Sequence, residues 1–347
     1  QKQANGSYDF SNNYKWMAPL FATNDVMIGN LETTFAGASQ GYSAYPKFNT
    51  PDALAEALKG ANFDVLATAN NHMYDTGTKG LDRTLEVLTK NDLKYTGSRL
   101  TATQPRYAIS KVGNTKVGVL AYTYESGRTE HGVITINGIH VKHADTNRLN
   151  TFDPWNLGPS VQEMREELEK MKQDSVSVFI AVMHWGYEYK TMPADYQKAL
   201  ADSLHQLGFH AVFGSHPHVV QPMDLLVDSI SCSQTYVLYS AGNFISNQRY
   251  ETLQNYHTED GVYVELKFQQ IGENTPVLYS VAHEPTWVNR YKINGKYHYE
   301  VMPVTKTLAS EEILEIFDDA QILRIKGSME RTMKILQTYH ALPLNLN

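Results

Sequence analysis

Ala211-Val-Phe-Gly-Ser-His-Pro-His-Val-Val-Gln221 is a short apolar run that stops at Gly214 and then delivers His216 and His218 on either side of Pro217. Imidazole is the commonest protein ligand for transition metals, and a loop leaving a buried strand can aim two of them into one site. A metal site is the reading this stretch supports first. Two ordinary surface-loop histidines are the alternative, and the rest of the chain decides between them.

Other apolar runs end in the same way. Asp25-Val-Met-Ile-Gly-Asn-Leu-Glu32 reads as a short buried strand with Glu32 just past it, where open α/β sheets place ligand groups. A solvated loop carboxylate is the plain alternative there. Phe63-Asp-Val-Leu-Ala-Thr-Ala69 runs directly into Asn70-Asn71-His72, with Asp75 and Gly77 beyond. Taken singly, Asn71 reads equally as a turn residue and His72 as a satisfied loop histidine. Lys116 to Tyr122 is a third such strand. Val176 to Met183 is a fourth, followed at once by His184-Trp185-Gly186 with Glu188 and Tyr189 next.

Helical patterns separate these runs. Thr50-Pro51 precedes Leu54, Ala57 and Leu58, and Leu81, Leu85 and Leu88 share one helical face. Ser160-Val-Gln-Glu163 reads as a capping box opening a helix through Met164, Leu168 and Met171, and a further helix spans about Pro193 to Leu207. Strand, polar apex and helix thus recur, which argues a layered βα sheet with its apices along one edge. Apices carrying Glu, Asn-His, His and His-Pro-His favour the metal reading over scattered loop residues. The polar, glycine-bearing stretch from Glu125 to Pro159 is expected to be a long loop or small hairpin insertion. Thr235 to Ile245 reads as a strand ending in Gly242-Asn243-Phe244, alternating segments at 262–268 and 277–282 as antiparallel β structure, and the apolar spacing after Ser310 as one or two helices.

Composition sets the outer limits. The 347 residues are 42% hydrophobic and 19% charged, ordinary globular material with enough chain for a large core. A net charge of -7 and a pI near 6.0 supply no broad basic field, so nucleic acid is not an expected partner. The single cysteine, Cys232, excludes an internal disulfide framework and any thiolate metal cluster. No apolar run is long enough to span a bilayer, and the polar start at Gln1 to Ser7 is no signal peptide.

Five motifs in order, Ile28-Gly-Asn-Leu-Glu-Thr-Thr-Phe-Ala-Gly37, Ala69-Asn-Asn-His-Met-Tyr-Asp-Thr-Gly77, His184-Trp-Gly-Tyr-Glu188, Gly214-Ser-His-Pro-His218 and Tyr239-Ser-Ala-Gly-Asn-Phe244, closely resemble the CapA family of poly-gamma-glutamate capsule biosynthesis proteins. The resemblance extends from about Tyr8 to Phe268. It implies a calcineurin-like metallophosphoesterase fold, a four-layer αββα sandwich with a dinuclear metal centre at the strand ends. On this reading residues 1–305 form that domain and 306–347 a C-terminal helical tail. Glu32 falls where the metal-bridging carboxylate lies, Asn71, His184 and His216 match the other ligands of one metal, and His218 matches a ligand of the second. His72 matches the histidine near the leaving group. Family members begin with a Gly-Asp strand-end motif that supplies the other ligands of the second metal. This chain starts just after its place, so either a truncated chain or a one-metal protein is expected.

Oxygen and imidazole ligands without thiolate fit two divalent ions of manganese, iron or zinc. Two such ions activate a water for attack on phosphorus or an amide carbonyl, with His72 as proton donor, Asp75 orienting it, and Trp185, Glu188 and Asn243 lining the substrate side. Trp185 reads equally as a packed core aromatic. The expected partners are an anionic polymer or phosphoester substrate and other capsule-synthesis membrane proteins. The resemblance also implies an extracytoplasmic protein, anchored to the membrane through a segment outside this chain. The alternative function is a capsule assembly or export component with a vestigial metal site.

Overall fold

The computed structural model describes residues 2–3, 5–230, 232–270 and 276–339. Its helices are α1 (Ala18–Phe21), α2 (Ala53–Gly60), α3 (Gly77–Lys90), α4 (His143–Thr146), α5 (Leu157–Gln173), α6 (Asp195–Leu207), α7 (Tyr250–Leu253), α8 (Val304–Leu308), α9 (Glu311–Leu314) and α10 (Asp319–Leu336). Its first strands are β1 (Ile28–Asn30), β2 (Val65–Ala67), β3 (Lys94–Thr96), β4 (Tyr107–Val112), β5 (Thr115–Tyr124), β6 (Gly127–Arg128), β7 (Ile134–Ile136), β8 (Ile139–His140) and β9 (Thr151–Phe152). There follow β10 (Val178–His184), β11 (Ala211–Ser215), β12 (Met223–Val227), β13 (Gln234–Leu238), β14 (Asp260–Gln269), β15 (Val277–Ile293) and β16 (Lys296–Pro303). The class is α/β, as the alternating pattern predicts.

The chain divides into two compact units. The first comprises residues 1–11, 21–185 and 199–211, the second 12–20, 186–198 and 212–347. In the first, β1, β2 and β3 form a parallel sheet in that order, with Asn30 opposite Ala67, so two strands end side by side. A second layer holds β10 parallel to β5 and β4 antiparallel to it. The two layers meet at Thr96, whose hydroxyl accepts from the Ala121 amide at 3.2 Å and donates to the Arg106 carbonyl at 2.8 Å. On the outer side of β5, Met171 and Val176 occupy the space that a side chain at Gly118 would fill, and Tyr122 donates to Glu163 of α5 at 2.6 Å. Helix α3 lies against β3 and buries Leu81, Leu85 and Leu88. The first unit therefore runs helix, sheet, sheet, helix, and the apolar strands are buried because both faces are covered.

The stretch expected to be a loop or hairpin insertion holds a three-stranded antiparallel meander, β6 to β8. Its Ile134, Ile136 and Val141 pack on Met73, Tyr74 and Leu81, which covers the segment just past His72. Helix α5 starts at Leu157 with Asn156 as its N-cap, so Ser160 is inside the helix and the expected capping box is not formed. Pro159 explains the earlier start, because proline is tolerated in a first turn where amides have no helical partner.

In the second unit β13 lies between β11 and β12, and β14, β15 and β16 form an antiparallel meander. Strand β13 ends at Leu238, seven residues short of the expected Ile245, where its ladder reaches Met223 at the start of β12, and Gly242 turns the chain beyond it at φ +71°. Trp287, Met302 and Val304 form a core with Phe317 and Ile325, joined by Trp16, Leu308 and Ile322. Helices α8 to α10 thus pack on this sheet. Among the described residues no helix is long and apolar enough to cross a membrane.

Candidate metal and acid-base site

The polar ends of β1 and β2 are tied to each other by side chains. Asn70 donates to the Leu31 carbonyl at 2.7 Å and to Asn30 Oδ1 at 3.2 Å, and its own Oδ1 accepts from the His72 amide at 3.1 Å. Gly97, at φ +108°, closes the approach of β3, since a Cβ there would lie 2.4 Å from the Ala69 nitrogen. These ties fix Glu32, Asn71 and His72 relative to one another.

His184 is the last residue of β10 and is fully buried, with the Tyr124 ring stacked on it at 6.4 Å. Its Nε2 lies 3.0 Å from Asn71 Oδ1 and 3.9 Å from Glu32 Oε1, while Glu32 Oε2 accepts from Asn30 at 2.9 Å. Donor atoms bound about 2.0 to 2.2 Å from one ion stand roughly 3 to 3.6 Å apart, so the His184–Asn71 spacing matches an edge of a coordination shell and the His184–Glu32 spacing is somewhat longer than one. A carboxylate, an amide oxygen and an imidazole fit manganese, iron or zinc. Among the described residues no three His, Cys, Asp or Glu side chains gather to hold an ion, and in this trio the third donor is the amide.

His72 and Asp75 form a separate pair. His72 Nδ1 meets Asp75 Oδ2 at 2.7 Å, with both side chains nearly excluded from solvent. Asp75 Oδ2 also accepts from the Phe48 amide at 2.7 Å, and the Phe48 ring stands edge-on to His72 at 4.4 Å. An ionised carboxylate only accepts, so the proton between them belongs to His72 Nδ1 and the ring can present Nε2 to a reacting group.

The second unit holds the histidines of the His-Pro-His stretch differently. His216 has φ +101° and His218 φ +57°, conformations that residues with a side chain adopt rarely and at a cost. Tyr189, at φ +63°, donates its amide to the Pro217 carbonyl at 2.7 Å and stacks its ring on His218 at 6.2 Å. His218 Nδ1 lies 2.9 Å from Asn243 Oδ1, while the Asn243 amide nitrogen donates to the carbonyls of Thr258 at 3.0 Å and His218 at 3.2 Å. Those donations orient the amide so that its oxygen faces the ring, which assigns the proton to Nδ1.

The sequence model described as "Bacterial capsule synthesis protein PGA_cap" matches residues 1–248. The chain belongs to that family. Among curated relatives it is 27% identical over 273 residues to the PGA biosynthesis protein CapA of Bacillus subtilis (strain 168), covering 76% of this chain and 64% of that protein. It is 25% identical over 260 residues to the capsule biosynthesis protein CapA of Bacillus anthracis, covering 71% and 58%. The chain thus aligns with less than two thirds of the length of these relatives. Among solved structures, the sulfate thiohydrolase SoxB of Thermus thermophilus, in complex with glycerol, aligns at a TM-score of 0.37 and 14% identity over 82% of this chain and 39% of that one. The CapA resemblance carried by the five motifs agrees with the PGA_cap match.

Every candidate site residue lies within the PGA_cap match. The structure brings Glu32, Asn71 and His184 together, pairs His72 with Asp75, and pairs His218 with Asn243. Asn243, expected on the substrate side, is bonded to a histidine. Trp185 is wholly buried, so it packs inside the protein and offers no surface to a substrate, whereas Glu188 is exposed. Sequence patterning does not single out Asn70, Phe48 or Tyr189 as site residues. Asn70 carries a signal, since it stands between an apolar strand and the Asn71-His72 pair, but the contacts of Phe48 and Tyr189 join loops with no shared pattern.

Proposed function

We propose that this PGA_cap protein is a metal-dependent hydrolase of capsule-polymer metabolism. The observation supporting it is the convergence of Glu32, Asn71 and His184 in the same unit as an oriented His72–Asp75 pair. Glu32, Asn71 and His184 would hold a divalent manganese, iron or zinc ion, and His216 and His218 of the second unit would offer imidazoles to an ion there. When bound, the metal supplies Lewis-acid activation of water. Asp75 keeps His72 in the tautomer whose Nε2, once protonated, gives its proton to the departing oxygen of a phosphoester or nitrogen of an amide. The bond to that atom breaks, water supplies the new oxygen on phosphorus or carbon, and a buried carboxylate balances the imidazolium. The substrate is a phosphoester or the gamma-amide of an anionic polymer. The protein acts outside the cytoplasm, beside the membrane proteins that make and move that polymer.

A second reading, a non-catalytic assembly component, draws on the absence of a three-member acidic or imidazole cluster among the described residues. Elemental analysis after loading with manganese, iron or zinc separates the two. Bound metal that His184→Ala loses, together with hydrolysis of bis(4-nitrophenyl) phosphate or poly-gamma-glutamate, supports the hydrolase. No bound metal under any loading condition overturns it in favour of assembly.

A further inference from the structure

The family match ends at residue 248, yet two of the contacts that seat Asn243 come from beyond it. Asn243 donates its backbone amide to the Asp260 carbonyl at 3.2 Å and its side chain to the Thr258 carbonyl. Gly242 and Gly261 approach so closely that a Cβ on the first would lie 2.5 Å from the Asp260 oxygen and a Cβ on the second 2.3 Å from the Asn243 oxygen. Backbone rests directly on backbone, so a shift of residues 258–261 moves Asn243 with them.

Those residues are held by α10. Arg331 grips the Asp260 carboxylate with both arms, Nε to Oδ2 at 2.7 Å and Nη2 to Oδ1 at 2.9 Å. Earlier on the same helix, Arg324 bonds Glu259 and donates to Glu251 at 2.5 Å. Glu259 also accepts from Trp287 Nε1 at 3.0 Å and from the Tyr250 amide at 2.9 Å. Asp260 and Glu259 are almost wholly buried. A buried ion pair is a weak way to gain stability compared with apolar residues of similar size, because both charges lose their hydration, but its directional bonds define one register.

We propose that α10 is a positioning element for His218, with Arg331 acting through Asp260 and Arg324 through Glu259 to seat the 242–243 turn whose Asn243 orients the imidazole. The helix is therefore part of the site's construction although it touches no reacting group. This inference rests on the proposed role of His218 in the site, and its primary test needs neither metal nor substrate.

The test uses the whole chain labelled with ¹⁵N-histidine, with the His218 resonances identified by their loss in His218→Gln. The intact protein is expected to show His218 protonated at Nδ1 alone. Arg331→Met is expected to shift His218 to a mixture of both tautomers, Arg324→Met to do so more weakly, and Arg331→Lys to restore part of the Nδ1 form. Ile325→Val, which trims the α10 core without touching Asp260, is expected to lower the melting temperature and leave the His218 tautomer unchanged. A His218 signal that keeps its Nδ1 proton in Arg331→Met, or that moves equally in Ile325→Val, overturns the proposal. If Arg331→Met does not fold, Arg331→Lys decides, and an unmoved His218 signal there overturns it. Zinc titration of the same proteins is expected to show about tenfold weaker binding for Arg331→Met, the size of effect usual for residues behind a ligand. Shifted tautomers in a protein that binds none of manganese, iron or zinc uphold the positioning role and sink the hydrolase reading.

Discussion

The two units orient their histidines by different means. In the first, His72 and Asp75 are three residues apart, and Asn70 to His72 sit directly on a strand end, so a few adjacent positions do most of the arranging. In the second, His216 and His218 occupy left-handed backbone, and the group that aims His218 is 25 residues away in the chain and is itself seated by contacts from Thr258 to Arg331. Local placement is inexpensive and readable in sequence. Long-range placement demands that several elements be in register at once, and it lets distant parts of the chain adjust the site.

The largest test of this contrast is catalytic. His72→Ala and Asp75→Asn are expected to lower turnover of a phosphodiester probe by about 10²- to 10⁴-fold with metal content unchanged. Loss of metal in either variant would merge the roles that the contrast keeps apart. In the second unit, Asn243→Ala is expected to weaken metal binding by about 10- to 100-fold, read by competition with a chelator, because the ring behind the ligand nitrogen is no longer held. Unchanged affinity would make Asn243 a packing residue only.

The glycines at the two close approaches sharpen the same comparison. Gly97→Ala and Gly242→Ala each force a Cβ into backbone at positive φ, and each is expected to cost about 1 to 3 kcal/mol in chemical denaturation. Only Gly242→Ala should disturb the His218 tautomer. A response of that tautomer to Gly97→Ala would show that the local arrangement is not local.

A further effect is set by pH. Burial pushes His210 in the first unit and His283 in the second down to about 4 from an ordinary value of 6.5. Phe179 donates its amide to His210 Nδ1 at 3.0 Å, and the Tyr236 hydroxyl lies 2.8 Å from His283 Nε2. A depressed folded pKa means that the unfolded chain binds more protons in this range. The stability each ring contributes is therefore complete above about pH 6.5 and is lost as the pH falls through about 4, at no more than about 1.4 kcal/mol per pH unit for each group. Thermal melts from pH 7 to 4 should show this loss, and His210→Gln or His283→Gln should each flatten it. An unchanged slope in both variants would place the acid sensitivity elsewhere.

Much of the first unit is legible in its residue pattern. Covered parallel strands read as unbroken apolar runs, and the polar residue that follows such a run stands at a sheet edge, so Glu32, Asn71, His72 and His184 can be picked out one by one. Legibility ends where a local pattern has several outcomes. Ser160 and Glu163 have capping spacing but lie inside a helix that Pro159 allows to start sooner, and Trp185 follows a site histidine yet turns wholly inward.

The sequence by itself determined the α/β class, the polar groups that stand at the strand ends, and the close spacing of His72 to Asp75, because side-chain periodicity and strand-end position are local properties of the chain. Tertiary structure alone decided which nitrogen of His72 and of His218 carries the proton, that Asn243 faces a ring, and that Arg331 reaches Asp260 from 71 residues away. Hydrogen bonds depend on direction as well as residue type, and direction is set only when segments far apart in the chain have met.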